Sequence, residues 1–454
     1  MREIINIQIG NAGNQIGLDF WEALKIEHSL DCYGNLSHST DYQQEKLDVY
    51  FFETINGSYC ARSIQVDSDP DFMNQIQLSQ TQNLFDQSSF VNGDSCSGNN
   101  FSKGYVQLEL KDQALEAIRL QAEQCDNLQG LQLIRSLGGG TGSGFGSLML
   151  QNLNDFYPKS IISNFCIFPY PGVNDIIVEP YNTVLSLPTL HSLSDICFSF
   201  HNGALYNILM KIIGNNTPSL KDLNGIVKQS ISGVTALWRF PCQISSDMRK
   251  FAMNLISFPN LNYINIGLAP LCNKSYIPKK EMSLSEIFKA LENNRNSVNH
   301  CRNIEQLVEF SSNYVFRKNN IQEEDITNLY RNEGYNQPLW IPDSKQMIQI
   351  SQRYLNQHQQ TALKIQSGSS VKEMLQSQLD SFNCLYKRKA FVSLYDNIDQ
   401  MEFLEAKITL ENIISDYNYI ENCKNNFKVI DENHIQNNLT QFQQDSNSFT
   451  SINF

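Results

Sequence analysis

Eleven cysteines occur without a Cys-x-x-Cys pair, and seven histidines without a His-Glu-x-x-His or His-x-His cluster. These absences argue against a disulfide framework and against a zinc site. Cys32, Cys60, Cys96, Cys125, Cys166 and Cys197 stand singly and read as free thiols in a reducing compartment. No apolar run approaches the roughly 18 residues that a membrane span needs. The opening Met-Arg-Glu-Ile-Ile-Asn-Ile-Gln-Ile-Gly alternates like a strand and lacks a signal-peptide core. Positive charge is scarce: 34 Lys and Arg against 47 Asp and Glu leave a net charge of −13. That balance speaks against nucleic acid or an anionic membrane as the main partner. The expectation is a cytosolic protein.

What is present is a globular composition. Of 454 residues, 41% are hydrophobic and 18% charged, enough for two or three domains with separate cores. The first 200 residues alternate strand-like segments (Ile4–Ile9, Ser63–Val66, Leu131–Leu137, Ile161–Phe168) with helical patterns such as Gln15–His28 and Asp112–Gln124. Such alternation favours a parallel α/β sheet with ligand loops at the carboxyl ends of its strands. A helical stretch, Asn202–Ile213, leads to a second mixed region with strands at Tyr263–Leu268 and Thr361–Ile365. Long helical patterns follow at Val371–Phe391 and Gln400–Tyr419. Beyond Cys423 the chain is rich in Asn, Gln and Ser and reads as disordered or weakly structured.

The most informative stretch is Gly-Gly-Gly-Thr-Gly-Ser-Gly at 138–144, between a strand-like run and a helical pattern from Ser143 to Tyr157. Glycines let backbone N–H groups close on a ligand with no Cβ in the way. The helix start behind them offers unsatisfied donors and partial positive charge, which suit phosphate. The run carries no Walker A lysine and does not fit Gly-x-Gly-x-x-Gly. By itself it also suits a purely structural strand-to-helix turn.

Further motifs accompany it: Met-Arg-Glu-Ile at the start, Gly-Asn-Gln-Ile-Gly at 13–17, Val-Glu-Pro-Tyr-Asn at 178–182 and Ala-Leu-Tyr at 204–206. Asp-Leu-Asn at 222–224, Ser-Gly-Val-Thr at 232–235, Arg-Phe-Pro at 239–241 and Asp-Met-Arg-Lys at 247–250 continue the series. Arg-Lys-Ala-Phe at 388–391 and Met-Glu-Phe-x-Glu-Ala at 401–406 end it. In this order and spacing the chain resembles tubulin, most closely its β-type subunit, over roughly residues 1 to 422.

The resemblance implies a Rossmann-like parallel-sheet GTPase domain over 1–203 and a second α/β domain over 204–368 with longitudinal and lateral contact loops. A C-terminal helical hairpin over 369–423 and an Asn/Gln-rich tail over 424–454 complete the expected layout. It also implies GTP or GDP with Mg²⁺. Gly10, Asn11 and Ala12 form the first phosphate loop, and Ser136, Gly140, Thr141 and Gly142 hold the phosphates. Gly98 and Asn99 close over them. Asp69 stands where the family usually has a Glu beside the metal-bound γ-phosphate. Asp175 and Glu179 address the ribose, while Asn202 and Asn224 match the guanine-reading asparagines. Plainer roles fit the same residues: Asp67 and Asp69 as turn formers before Pro70, Asn202 as a helix cap, Asp175 and Glu179 as solvated charges.

Several positions depart from the family pattern. The first loop reads Gly10-Asn-Ala-Gly13, so a longer Gln is replaced by Asn11. Leu220 replaces the aromatic residue that stacks on guanine, and His201-Asn202-Gly203 replaces Asp-Asn-Glu. In the lateral loop Cys272–Ser285, Lys279 stands where an aromatic residue is expected, and the acidic tail is missing. Lys250 occupies the place where α-type chains offer a carboxylate to the neighbouring nucleotide. An ammonium has no acceptor for orienting water, so this chain is expected to leave its facing neighbour's nucleotide intact, while hydrolysis of its own nucleotide needs an α-type neighbour. No catalytic residue is assigned within the chain.

The expected function is a microtubule constituent, a GTP-binding β-like subunit paired with α-type tubulin through the Asp247–Lys250 region. Neighbouring protofilaments and microtubule-associated proteins are its further implied partners. The expected setting is the cytoplasm and its microtubule cytoskeleton, in a specialised array such as a ciliary axoneme or basal body. The rival expectation is a degenerate paralogue that regulates or sequesters tubulin outside the lattice.

Overall fold

The computed structural model describes residues 2–37, 41–71, 82–241, 247–271, 282–299, 307–317 and 361–422, and the backbone of 346–351. Its first strand, Glu3–Ile9 (β1), is buried along its whole length. Asn6 and Gln8 alternate with isoleucines yet are buried as well, because both faces of the strand are covered, as in parallel sheets sandwiched between helices. After it come Gly10–Glu27 (α1), Ser63–Asp67 (β2), Phe90–Asn92 (β3), Leu108–Glu123 (α2) and Leu128–Ser136 (β4). Gly146–Phe156 (α3), Ile161–Phe168 (β5), Glu179–Leu193 (α4) and Ile196–His201 (β6) complete this half. These strands pair in parallel in the spatial order β6-β5-β4-β1-β2-β3.

The second half supplies Asn202–Ile208 (α5), Leu220–Arg239 (α6), Met248–Leu255 (α7), Tyr263–Ala269 (β7) and Leu284–Glu292 (α8). Glu309–Arg317 (β8), Gln346–Ser351 (β9), Thr361–Gly368 (β10) and Lys372–Tyr386 (α9) follow, with a further helix through residues 400–422 (α10). These strands extend the same sheet. β7 pairs in parallel with β6 at only two positions, Cys197–Tyr263 and Phe198–Ile264. From there the pairing turns mixed, with β10 antiparallel to both β7 and β8.

Side-chain alternation along the strands divides the core. Ile5, Ile7, Ile9, Leu131 and Leu133 pack with α2, α3, α4, α9 and α10 on one face. Ile4, Ile134, Phe165 and Phe198 pack with α1, α6 and α7 on the other. In α6, Leu223, Ile226, Val227, Ile231, Val234 and Leu237 recur at helical spacing and are all buried. A capping box, Ser219 with Asp222, fixes its start, a device that stabilises a helix by about 1 kcal/mol.

Two helix expectations need correction. α1 begins at Gly10, earlier than the Gln15 start, because Gly10 takes φ +75 and turns the chain directly out of β1. The pattern Val371–Phe391 does not run through: α9 ends at Tyr386, and Lys389 and Phe391 adopt left-handed φ of 48° and 59°. The Tyr181 hydroxyl donates to the carbonyl of Ala390 at 2.9 Å, and Asn100 Nδ2 to that of Leu394 at 2.7 Å. These bonds take up carbonyls that a continuing helix would use. Most of the lateral loop Cys272–Ser285, including Lys279, and the whole 424–454 tail lie outside the described residues.

Candidate functional site

β1 and β4 are neighbours, yet the chain leaves β1 toward β2 and leaves β4 toward β5, so the order of the sheet reverses between them. Loops diverge at such a switch point and leave a crevice beyond the carboxyl ends of the strands. Here the crevice is a cleft of ≈ 520 Å³. Gly10, Asn11 and Ala12 after β1, Asp69 after β2, and Ser136, Gly140, Thr141 and Gly142 after β4 all line it. Asn99, Asp175, Glu179 and Leu220 line it as well.

The glycine run divides into two kinds of position. A Cβ on Gly140 would lie 2.5 Å from Asn100 N and 2.7 Å from Ser97 Oγ, and one on Gly142 would collide with the Ser136 carbonyl. These glycines are required by packing. Gly139 meets nothing within 4 Å and opens onto the cleft it helps to line. The second half of the run and the residue after it, Thr141–Phe145, form a helical turn widened to π geometry, a feature frequent at functional sites.

Side chains lock the surrounding loops together. The Thr141 hydroxyl lies 2.5 Å from Ser68 Oγ and 2.9 Å from Ser97 Oγ, joining three loops. Asn182, fully buried on α4, donates to the carbonyls of Asn99 and Gly138, both at 2.8 Å. Its Oδ1 accepts from Phe101 N at 3.0 Å and from the Tyr395 hydroxyl at 2.8 Å. Every polar group of this amide is thereby used.

Four carboxylates line the cleft (Asp67, Asp69, Asp175 and Glu179), and no Lys, Arg or His does so among the described residues. Asp67 Oδ1 accepts from Asp69 N at 3.3 Å and Asp69 Oδ1 from Asp71 N at 3.1 Å, so both aspartates do shape turns. Asp67 Oδ2 remains buried and unpartnered. Burial pushes the Asp67 carboxyl up to about 6, against hydrogen bonds that favour the anion. Glu179 is buried too, its carboxyl raised by desolvation while Asn174 donates to it at 2.8 Å. Asp175 is exposed at the rim. No cluster of three metal-ligating side chains occurs among the described residues. The donors present fit a hard cation that keeps waters and takes its remaining oxygens from a phosphate ligand.

The opposite end of the cleft is looser. Leu220, the first residue of α6, is 55% exposed. Asn11 Oδ1 accepts from Gln15 Nε2 at 2.8 Å, and Gln15 Oε1 from Asn224 Nδ2 at 3.5 Å. Asn224, Asn202 and Gly98 do not line the cleft themselves. Asn202 is the buried first residue of α5, whose N-cap is His201. Gly98, at φ +57, precedes Asn99, itself at φ 55. Gln15, Ser68, Ser97 and Asn174 also line the cleft, and sequence reasoning did not select them. Only Gln15 had a signal, its spacing of four from Asn11 on a helix.

Residues 3–210 match the Tubulin/FtsZ family, GTPase domain. The Tubulin beta chain of Aspergillus fumigatus is 36% identical over 427 residues, 92% of this chain and 94% of its own. The chain belongs to the tubulin family. The human Tubulin beta-1 chain is 35% identical, with 93% of this chain and 95% of the relative aligned. The Tubulin beta chain of Pneumocystis carinii is 35% identical over 432 residues. On the remaining tubulin-like surface, Lys250 is exposed in the first turn of α7, next to Asp247, which pairs with Arg2.

Proposed function

We propose that this chain is a β-like tubulin subunit of a specialised microtubule, binding GTP or GDP with Mg²⁺ in the switch-point cleft. The observation that carries this reading is the glycine-run cleft itself, where carboxylates and backbone donors converge without a basic side chain. Backbone N–H groups around Gly139–Gly142 and Gly10–Ala12 bind the phosphates, aided by the start of the helix. Asp67 and Asp69 hold Mg²⁺ together with phosphate oxygens, and the metal supplies the positive charge that the lining lacks. Glu179 and Asp175 face the ribose. Asn224, which contacts the cleft-lining Gln15, and Asn202, at the start of α5, read the guanine from just outside the cleft lining, with Leu220 as an apolar wall.

The partner is an α-type chain stacked along the protofilament. Lys250, on α7, faces that partner's nucleotide, and its ammonium cannot accept a proton from water. The partner's nucleotide therefore stays as GTP, while hydrolysis in this chain's own cleft uses a carboxylate that the neighbour supplies. Copolymerisation of the tagged chain with α-type tubulin tests the assembly. The wild-type pair is expected to keep GTP on the partner, and Lys250→Glu to introduce hydrolysis there. Recovery of GDP from the partner of the wild-type chain overturns the role of Lys250. Binding to α-type tubulin with exclusion from the lattice replaces the structural role by a sequestering one.

A further inference from the structure

Arg135 lies on β4 directly beneath the glycine run, with no accessible surface. Three arginines rank among the largest fully buried side chains, and the other two, Arg239 and Arg317, share the carboxylate of Glu27 at 2.7 and 3.1 Å. Arg135 has no carboxylate within ion-pair distance among the described residues. Its Nη1 donates to the Gly142 carbonyl at 3.4 Å, Nε and Nη2 find no oxygen acceptor, and the guanidinium's remaining polar neighbour is the Cys166 thiol. A Cβ on Gly146 would lie 2.7 Å from Nη1, so the absence of one there makes the room for the guanidinium. An unpaired buried charge costs several kcal/mol, and a cation in that state calls for an anion. The cleft lies on the other side of the Gly142 peptide, since Gly142 also lines it.

We propose that Arg135 is the electrostatic anchor of the phosphate site, taking the nucleotide's phosphates as its counter-charge across the Gly142 peptide. This rests on the nucleotide reading of the cleft. The glycine run has no lysine of its own, and Arg135 places the missing cation behind the backbone, where it attracts phosphate without touching it. In a low-dielectric setting a fixed charge acts strongly over one peptide layer. The neighbouring thiols are the local competitors. Burial opposes ionisation of Cys166, yet a hydrogen bond with Cys197 and both the charge of Arg135 and a hydrogen bond from it draw the thiol below its usual range.

The test is titration of the full chain with Mg²⁺ and GTP, GDP or guanosine, in wild type, Arg135→Met and Arg135→Lys. An anchor makes the loss grow with phosphate charge. Arg135→Met is expected to weaken GTP on the order of tenfold or more, GDP less and guanosine hardly at all, and Arg135→Lys to restore most of the GTP affinity. Should Arg135→Met not fold, Arg135→Gln reads the same ratio with donors kept and charge removed. Equal losses for all three ligands, or an unchanged GTP-to-guanosine ratio, overturn the inference and leave Arg135 as a packing residue balanced by Cys166. A wild-type chain that binds no nucleotide fails the reading of the cleft instead, before any variant is compared.

Discussion

At the glycine-run end of the cleft, three loops interlock through the hydroxyls of Thr141, Ser68 and Ser97, and Asn182 ties two more segments to them. At the Leu220 end, an apolar side chain stands in solvent, and Asn224 reaches the lining only through Gln15, at 3.5 Å. The first end is held in shape before any ligand arrives, so binding there loses little conformational freedom. The second offers packing with little orientation. In this account affinity resides in the phosphates, and discrimination between bases is the weaker property.

The contrast is broken most severely at Asn182. Asn182→Ala strands a buried N–H, two carbonyls and the Tyr395 hydroxyl, and is expected to cost about 3–4 kcal/mol, read by chemical denaturation, with nucleotide binding lost as well. Gly140→Ala drives a methyl into the Asn100 backbone and should cost about 3 kcal/mol. Gly139→Ala, with open space at that position, should cost less than about 1 kcal/mol in stability. Similar values for the two glycines would remove the distinction between packed and ligand-facing positions.

Asp67→Asn sharpens the comparison through pH. The folded-state carboxyl, at about 6, lies above its ordinary 3.8, so the folded chain binds the proton more tightly than the unfolded one. Its contribution to stability is present below 3.8 and is lost as pH rises through about 6. Asp67→Asn should therefore be more stable than wild type at neutral pH, by up to about 3 kcal/mol in the apo chain, with the gap closing in acid. The same variant should lose the Mg²⁺ dependence of nucleotide binding. The smallest effect belongs to the open end: Leu220→Tyr should tighten guanine nucleotide by about 1 kcal/mol if the ring stacks on the base. Unchanged calorimetric affinity would mean that the wall is already complete with leucine.

Sequence reasoning located the fold well where periodicity and loop chemistry agree. The buried strands β1 and β5, the largely buried β4, the glycine run and the loops after β1 and β2 fall where strand-like runs give way to Gly-, Asn- and Asp-containing loops. It failed where tertiary bonds override local pattern. The helical pattern past Tyr386 stops because Tyr181 and Asn100 capture carbonyls from far along the chain. Ser68 and Ser97 carry no signal, since a serine in a loop is ordinary until a third hydroxyl is found beside it. Asn182 was visible within Val-Glu-Pro-Tyr-Asn, but its role depends on four partners that no local spacing reveals. The unpaired charge of Arg135 emerges only when every carboxylate nearby is accounted for.

A cleft that grips guanine nucleotide by its phosphates should keep it through purification, so the nucleotide content of the purified wild-type chain is the most direct test. Acid release and anion-exchange chromatography should recover a stoichiometric load of GTP or GDP, replenished by GTP with Mg²⁺ after stripping. A folded chain that elutes empty and takes up no GTP with Mg²⁺ would contradict it.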